Sequence, residues 1–408
     1  MAKRVLLHVG TPKTGTTYLQ DVCFLNRSLL EEHGILYPAD RFDAHFLAAL
    51  DLMRLPWGGL EEQAVGAWDR LAAEVRAFDG TAIISHEILA RATPAQAQRA
   101  LTSLGHGAGT EVHLVLSVRD LVRQIPAEWQ ENVKHRTTTS YADFLAELQE
   151  PARDGTIASW FWAVQELPDI LARWRHDLPA SQVHLVTVPL PDSPRDLLWS
   201  RFVEAFGLGG LPLALDTDRA NVSLGVPETY LLRQVNLRAN LEIEPEDYRE
   251  LVRELLAHRT LSARVTSPRL ALPPSAYGWV SSLTANWIEE LADQGYDVVG
   301  SLAELQGEKP SAAVLASYVD PDAPDLSAVV DAAATSIVAL VGDVRRWRAN
   351  EARLHEEIAD LHRELAKARM SPLYRLKEAL YRLLTGGRLG RRLLDAYYRA
   401  RGSSSRLA

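Results

Sequence analysis

Cysteine is almost missing from this chain. Its 408 residues hold one, Cys23. That excludes an internal disulfide framework and a cysteine-rich metal site, and the helical pattern around Cys23 points to core packing. No stretch of about 18 uninterrupted apolar residues occurs, so no membrane span is expected. The apolar run after Arg4 is too short for a secretory leader, so no signal peptide is expected either. No internal repeat of fixed period is present, and no His/Asp/Glu cluster has metal-ligand spacing. A basic balance is also lacking: the net charge is −9, which argues against general nucleic-acid binding. These absences place the chain in the cytoplasm as an expectation. What remains is 47% apolar and 24% charged, a composition able to bury a sizeable core.

The richest stretch is Arg4-Val5-Leu6-Leu7-His8-Val9-Gly10-Thr11-Pro12-Lys13-Thr14-Gly15-Thr16-Thr17. An aliphatic run leads into two glycines five apart, then hydroxyls, then a helical pattern. That is the order of a strand, an anion-cradling loop and a helix N-terminus. The nucleotide-binding version of such a loop is G-x-x-x-x-G-K-[ST]. Here Thr16 stands where that lysine would be, and the lysine sits in mid-loop as Lys13. A mid-loop lysine can meet an anion at the bridging oxygen of a leaving group.

Two further groups follow predicted strands. Thr81–Ser85 is one apolar run and leads into His86-Glu87; Val112–Val118 is another and leads into Arg119. A third strand is predicted from Val183 to Val188. Helical periods lie between them: 16–32 ended by Gly34, 46–53, 61–78, and a helix opened by Thr93-Pro94. Ile35–Pro38 is a short extended piece. Strands alternating with helices predict an α/β fold with a mainly parallel sheet covered on both faces. Ligands in such sheets bind beyond the carboxyl ends of the strands, where all three groups lie.

On these residues the chain resembles the sulfotransferases that use PAPS, 3′-phosphoadenosine-5′-phosphosulfate. The overall pattern resembles bacterial, carbohydrate-directed members. The resemblance implies a P-loop NTPase-like three-layer sandwich. It implies that Lys13, Thr14, Gly15, Thr16 and Thr17 hold the 5′-phosphosulfate, and that Arg119 holds the 3′-phosphate. The family places a serine eight residues after that arginine; Ala127 stands there, with Arg123 as a second charge in reach. The general base for the acceptor hydroxyl falls on Glu87, with His86 as rival and His45 as a weaker candidate. The implied mechanism is in-line sulfuryl transfer. Glu87 or His86 takes the acceptor proton, Lys13 and the loop amides stabilise the leaving phosphate, and no metal is required. The implied acceptor is a hydroxyl on a glycan or glycolipid, with no nucleic acid involved. The alternatives are an inactive scaffold on the same fold, favoured by Ala127, and, with less support, a P-loop kinase.

This domain is taken as 1–306, and its last part is mostly helical. From Asn221 to about Leu305 it reads as helical, with Tyr230, Leu231, Val235 and Leu241 on one face and Trp279, Leu283, Trp287 and Leu291 on another. The segment Gly295–Gly300 has no chemical reading. Residues 307–330, rich in Pro, Ala, Ser and Asp, read as a linker. Residues 331–408 read as a coiled-coil and basic extension. Leu354, Ile358, Leu361 and Leu365 give about two heptads, enough to suggest a homo-oligomer. From Ala366 onward there are eleven Lys/Arg against two Asp/Glu. A capped helix start at Ser371-Pro372 leads into Leu376, Leu380, Leu383 and Leu384. A second basic piece carries Arg388, Arg391 and Arg392 beside Leu393, Leu394, Tyr397 and Tyr398. That pattern suits a peripheral contact with the inner face of a membrane, or a solvated helical tail packed on the main domain.

Overall fold

The structure is a computed structural model that describes residues 2–216, 223–308, 310–370 and 372–386. Six strands form one sheet: β1 Arg4–His8, β2 Ile35–Leu36, β3 Thr81–Ser85, β4 Glu111–Val118, β5 Val183–Thr187 and β6 Asp297–Val299. Their order is β2-β3-β1-β4-β5-β6, and all the pairings are parallel. Parallel strands must be covered on both faces, which is why they read as continuous apolar runs. Side-chain alternation splits those runs between two cores. Val5, Leu7, Ile84, Leu114 and Leu116 face one layer of helices, with Trp68, Trp129 and Trp174. Leu6, Ile83, Val115 and Val186 face the other, with Leu19, Cys23 and Phe202. The result is a three-layer α/β sandwich.

Two long predicted helices are each divided in two. Residues 16–32 form helices Thr16–Leu25 and Arg27–Glu32, because the Asn26 side chain donates to Val22 O at 2.8 Å and to Ala214 O at 2.8 Å. An amide that bonds the backbone locally competes with the helix ladder. Residues 61–78 divide into Leu60–Ala64 and Ala67–Ala77 around Gly66, whose φ of 73° leaves the helical region. Asp51 fixes the break by accepting from the N–H groups of Gly66 and Trp68. The Thr93-Pro94 start forms with a full capping box to Gln96.

The predicted helical stretch from 221 to 305 needs two corrections, and its first residues lie outside the described ones. Gly295–Gly300 contains β6, the edge strand, in register His184↔Asp297. Leu241 is 99% exposed; helix Val226–Ala239 instead buries Glu228, Thr229, Leu232 and Asn236. Leu231 and Val235 of the expected face do pack against the core, and beside them Glu228 is a buried carboxylate paired with Arg264 at 2.7 Å. Trp287 and Leu291 are buried, with Trp279 and Leu283 packed against the core.

The chain divides into two compact units, Met1–Ser336 and Ile337–Ala408. In the 307–330 segment, Asp322 accepts from the N–H groups of Tyr141 and Ala142 and pairs with Arg233 at 3.2 Å. Helix Leu326–Met370 continues into the second unit, which also holds helix Pro372–Thr385. By length and composition alone, Leu326–Arg369 is long and apolar enough to cross a membrane, with a mean hydropathy of 1.6 in its best window. Residues such as Asp331 and Ser336 interrupt the apolar run, which is why no span is expected from sequence. Ser371 and the second basic piece, 388–398, lie outside the described residues.

Candidate functional site

The order of strands changes direction at β1. The chain runs from β1 to the β2 edge and later passes back to β4 on the other side. Crevices at such switch points hold ligands in open parallel sheets. The loop that leaves β1 here is residues 9–15. It is built from three residues at positive φ: Gly10 at 116°, Lys13 at 63° and Gly15 at 87°. Gly10 is required, because a Cβ there would lie 2.8 Å from Glu87 O. The loop and the turn after β3 are thus in direct backbone contact.

Four consecutive loop carbonyls, Gly10 to Lys13, are each hydrogen-bonded, three of them from outside the loop. Gly10 O accepts from Ser117 N at 2.6 Å, and Thr11 O from Thr14 Oγ1 at 2.5 Å. Pro12 O accepts from Gln124 Nε2 at 2.8 Å, and Lys13 O from an Arg119 guanidinium nitrogen at 3.3 Å. Among the described residues, no protein acceptor meets the N–H groups of residues 13–17. Oriented carbonyls behind and uncommitted N–H groups at a helix N-terminus make a site for an anion.

Glu87 follows β3 and stays partly exposed. Gln20 Nε2 donates to its carboxylate at 3.0 Å, and the Thr16 hydroxyl also bonds it. Burial opposes the charged form. The neighbouring His86 and the bonds from its own backbone, Gln20 and Thr16 outweigh that, so the carboxyl titrates below its ordinary value. His86 is itself held toward neutral by burial, so at neutral pH the hydrogen bonds carry the effect. His86 stacks on Phe46 at 5.1 Å, and its Nδ1 accepts from Ile88 N at 3.3 Å, which places the neutral ring's proton on Nε2. His45 has both ring nitrogens committed, Nε2 to Pro38 O at 3.1 Å and Nδ1 from Ser85 N at 3.2 Å. It is a buried brace for the end of β3, and burial brings its pKa down to about 4.

Helix Leu121–Lys134 forms the opposite wall. Lys13 Nζ meets Glu131 Oε2 at 2.5 Å, and Glu131 also touches His135 at 3.3 Å and Lys134 at 3.7 Å. Burial opposes ionisation of Glu131, but the bond to His135 and the charges of Lys13 and Lys134 hold it well below the usual carboxylate range. Glu128 lies one turn before it and is 6% exposed. Its Oε2 has no protein partner among the described residues. Burial pushes its carboxyl up to about 7, with Lys13 pulling down and Glu131 and Glu87 pushing up.

Arg119 is brought beside the loop as its place after β4 implies. Its Nε is buried without a protein partner. Burial and Arg123 lower its pKa to about 10, which still leaves it charged at neutral pH. Arg123 turns elsewhere: it bonds Asp120 at 2.5 Å, Pro189 O at 2.9 Å and Val188 O at 3.4 Å. Two of its nitrogens hold the carbonyls after β5, and Nε holds the capping Asp120.

Two features were missed in the sequence. Glu128 and Glu131 lie among the charged positions of an amphipathic helix, and nothing local marks them as buried. His8 reads as one more strand residue, yet it is fully buried between Ser85 Oγ at 2.8 Å and Ser117 Oγ at 2.9 Å. Ser117 Oγ lies 2.5 Å from Thr14 Oγ1, and Ser85 Oγ lies 3.5 Å from Gln20 Nε2. A polar chain therefore runs from the loop to Glu87 across three strand ends. Burial lowers the His8 pKa to about 4, so the ring is neutral, with one nitrogen donating and the other accepting. The available signal was polar residues at matching strand ends: His8 and Ser85 are in register.

Comparison with protein-family models, with curated proteins and with solved structures finds no match to this chain.

Proposed function

We propose that the chain is a PAPS-dependent sulfotransferase acting on a hydroxyl of a carbohydrate or glycolipid. The observation that carries this reading is the polarity of the loop. Its carbonyls are tied to Ser117, Thr14, Gln124 and Arg119, and its N–H groups are left for an anion beside Lys13. The donor set also fits a second anionic group, because Arg119 keeps a buried, unpartnered Nε next to the loop. When bound, PAPS would supply a sulfuryl group carried on a phosphate leaving group. The protein's own residues do the rest. Lys13 and the N–H groups of residues 13–17 bind and orient the 5′ anion. Arg119 takes the 3′-phosphate. Glu87, ionised at neutral pH and partly exposed, takes the acceptor proton. His86 is the alternative base. The basic stretch after Ala366 supports a peripheral contact with anionic lipid at the inner membrane face.

Two observations favour a second reading, an inactive binding protein on the same scaffold. Lys13 is held by Glu131, and Ala127 lacks the hydroxyl that the 3′-phosphate would meet. Calorimetric titration separates the two. Adenosine 3′,5′-bisphosphate should bind more tightly than ADP, and Lys13→Ala should weaken it by about 10–100-fold, the worth of one charge-assisted contact. Failure to bind the bisphosphate, or equal binding of ADP, would sink the sulfotransferase reading.

A further inference from the structure

The helix of the second unit carries a longer apolar seam than its four obvious leucine and isoleucine positions. From Ile337 a seven-residue register runs to Ala368, with Glu351 its one polar position. Its a positions are Ile337, Val344, Glu351, Ile358 and Leu365; its d positions are Leu340, Trp347, Leu354, Leu361 and Ala368. All lie in one helix. Ile337, Val344, Trp347, Leu354, Ile358, Leu361 and Leu365 are each between 44% and 64% exposed. A seam of this length needs a partner helix.

The residues flanking the seam say which partner. The g positions are Asp343, Asn350, Glu357 and Glu364; the e positions are Val341, Arg348, His355, His362 and Arg369. In a parallel pair each g residue faces the e residue five places on in the other chain. That matches Asp343 with Arg348, Asn350 with His355, Glu357 with His362 and Glu364 with Arg369. An antiparallel pair would set g against g and e against e, acid on acid and base on base. β-branched residues at a with leucine at d favour two strands over three or four. Ile337, Val344 and Ile358 stand at a, with Leu340, Leu354 and Leu361 at d. We propose that residues 337–368 pair with the same residues of a second copy as a parallel, in-register, two-stranded coiled coil. Glu351 at a central a position costs stability and disfavours shifted registers, as a lone polar residue in a seam does.

The test uses the full chain. Sedimentation velocity of the wild type at micromolar concentration should give twice the 45.3 kDa monomer mass. The double variant Ile358→Asp, Leu361→Asp should run as a monomer, with an unchanged circular dichroism unfolding midpoint to show that the first unit remains folded. Orientation is read separately by Leu365→Cys under mild oxidation, Cys23 being buried. A parallel pair brings the two thiols together and yields a covalent dimer. An antiparallel pair sets them about 37 Å apart, at 1.5 Å per residue. A wild-type monomer, a dimer that survives the double variant, or a dimer that fails to cross-link at 365 would each overturn the proposal. So would a chain that stays monomeric in buffer and associates through this helix only on anionic vesicles.

Discussion

The loop after β1 stands between two walls that treat a carboxylate in opposite ways. On the β3 side, Glu87 is partly exposed and receives bonds from Gln20 and Thr16, which hold it ionised. On the side of helix Leu121–Lys134, Glu128 is nearly enclosed, has an unpartnered oxygen and titrates near 7. The same charge, Lys13, acts on this second wall and is bonded to its Glu131. Burial alone does not set a carboxyl's state; the count of donors aimed at it does. One wall therefore keeps a carboxylate charged and partly open to solvent. The other holds a carboxyl at the edge of ionisation.

The largest expected effect falls on turnover. Glu87→Gln should lower release of adenosine 3′,5′-bisphosphate from PAPS in the presence of a hydroxylated acceptor by about 10²–10⁴-fold, the usual worth of a general base. Bisphosphate affinity should stay near the wild-type value, since the substituted amide keeps the side chain's size and an oxygen that can accept from Gln20. Glu128→Gln should change turnover far less. Were Glu128→Gln to abolish turnover and Glu87→Gln to spare it, the base would lie on the helix wall, matched to its task by its pKa.

Glu128→Gln should act on stability instead. A carboxyl whose folded pKa lies near 7 and whose ordinary value is 4.5 costs nothing below pH 4.5. Its destabilising effect grows as pH rises from 4.5 to 7 and is complete above. The full shift corresponds to at most about 3 kcal/mol. Chemical denaturation should therefore show Glu128→Gln more stable than wild type at pH 8 and equal to it near pH 4.5. His8 and His45 pull the other way. Their folded pKa values are lowered to about 4 from 6.5, so the stability they give is present above 6.5 and is lost as pH falls toward 4. A pH 8 advantage of zero for Glu128→Gln would mean that Glu128 is solvated in the folded protein.

The two walls also differ in how far they were legible. The β3 wall is local: an apolar run, a stop, then His86-Glu87, all within a few residues. The fold was legible for the same reason, since each parallel strand declares itself as a short continuous apolar run. The helix wall depends on where residue 128 lands after the whole chain is folded, and a carboxylate on an amphipathic helix is ordinarily solvated. Arg123 shows the same limit. Its sequence place suggests a free second charge, whereas Asp120 and the carbonyls after β5 claim it. β6 escaped because three residues give no period to read. Most of the seam in the second unit escaped because Glu351 breaks its apolar spacing.

The polar chain from the loop to Glu87 supplies a smaller effect. Ser117→Ala removes the hydroxyl that meets His8, Thr14 and Gly10 O. It leaves His8 Nε2 buried without that partner, a loss of about 1–3 kcal/mol in unfolding free energy. Its effect on bisphosphate binding should exceed that of a surface serine substitution, because Thr14 shares the same hydroxyl. A loss confined to stability would separate the chain from the anion site.

The smallest change sharpens the comparison from the helix wall. Ala127 is partly exposed on that helix, one residue before Glu128 and eight after Arg119. If Arg119 holds the 3′-phosphate, Ala127→Ser returns a donor to the same anion. One hydroxyl to a charged oxygen is worth at most about 1.5–3 kcal/mol. A helical serine also bonds the carbonyl four residues back, here Arg123, and that competition reduces the gain. Tightening of about 3–10-fold is therefore expected for adenosine 3′,5′-bisphosphate, with none for ADP, which has no 3′-phosphate. Calorimetry on the two ligands in parallel reads the difference directly. Equal tightening of both would mean that the new hydroxyl meets a group common to the two nucleotides. No tightening of either would place the 3′ anion away from this helix and leave Arg119 without the role assigned to it.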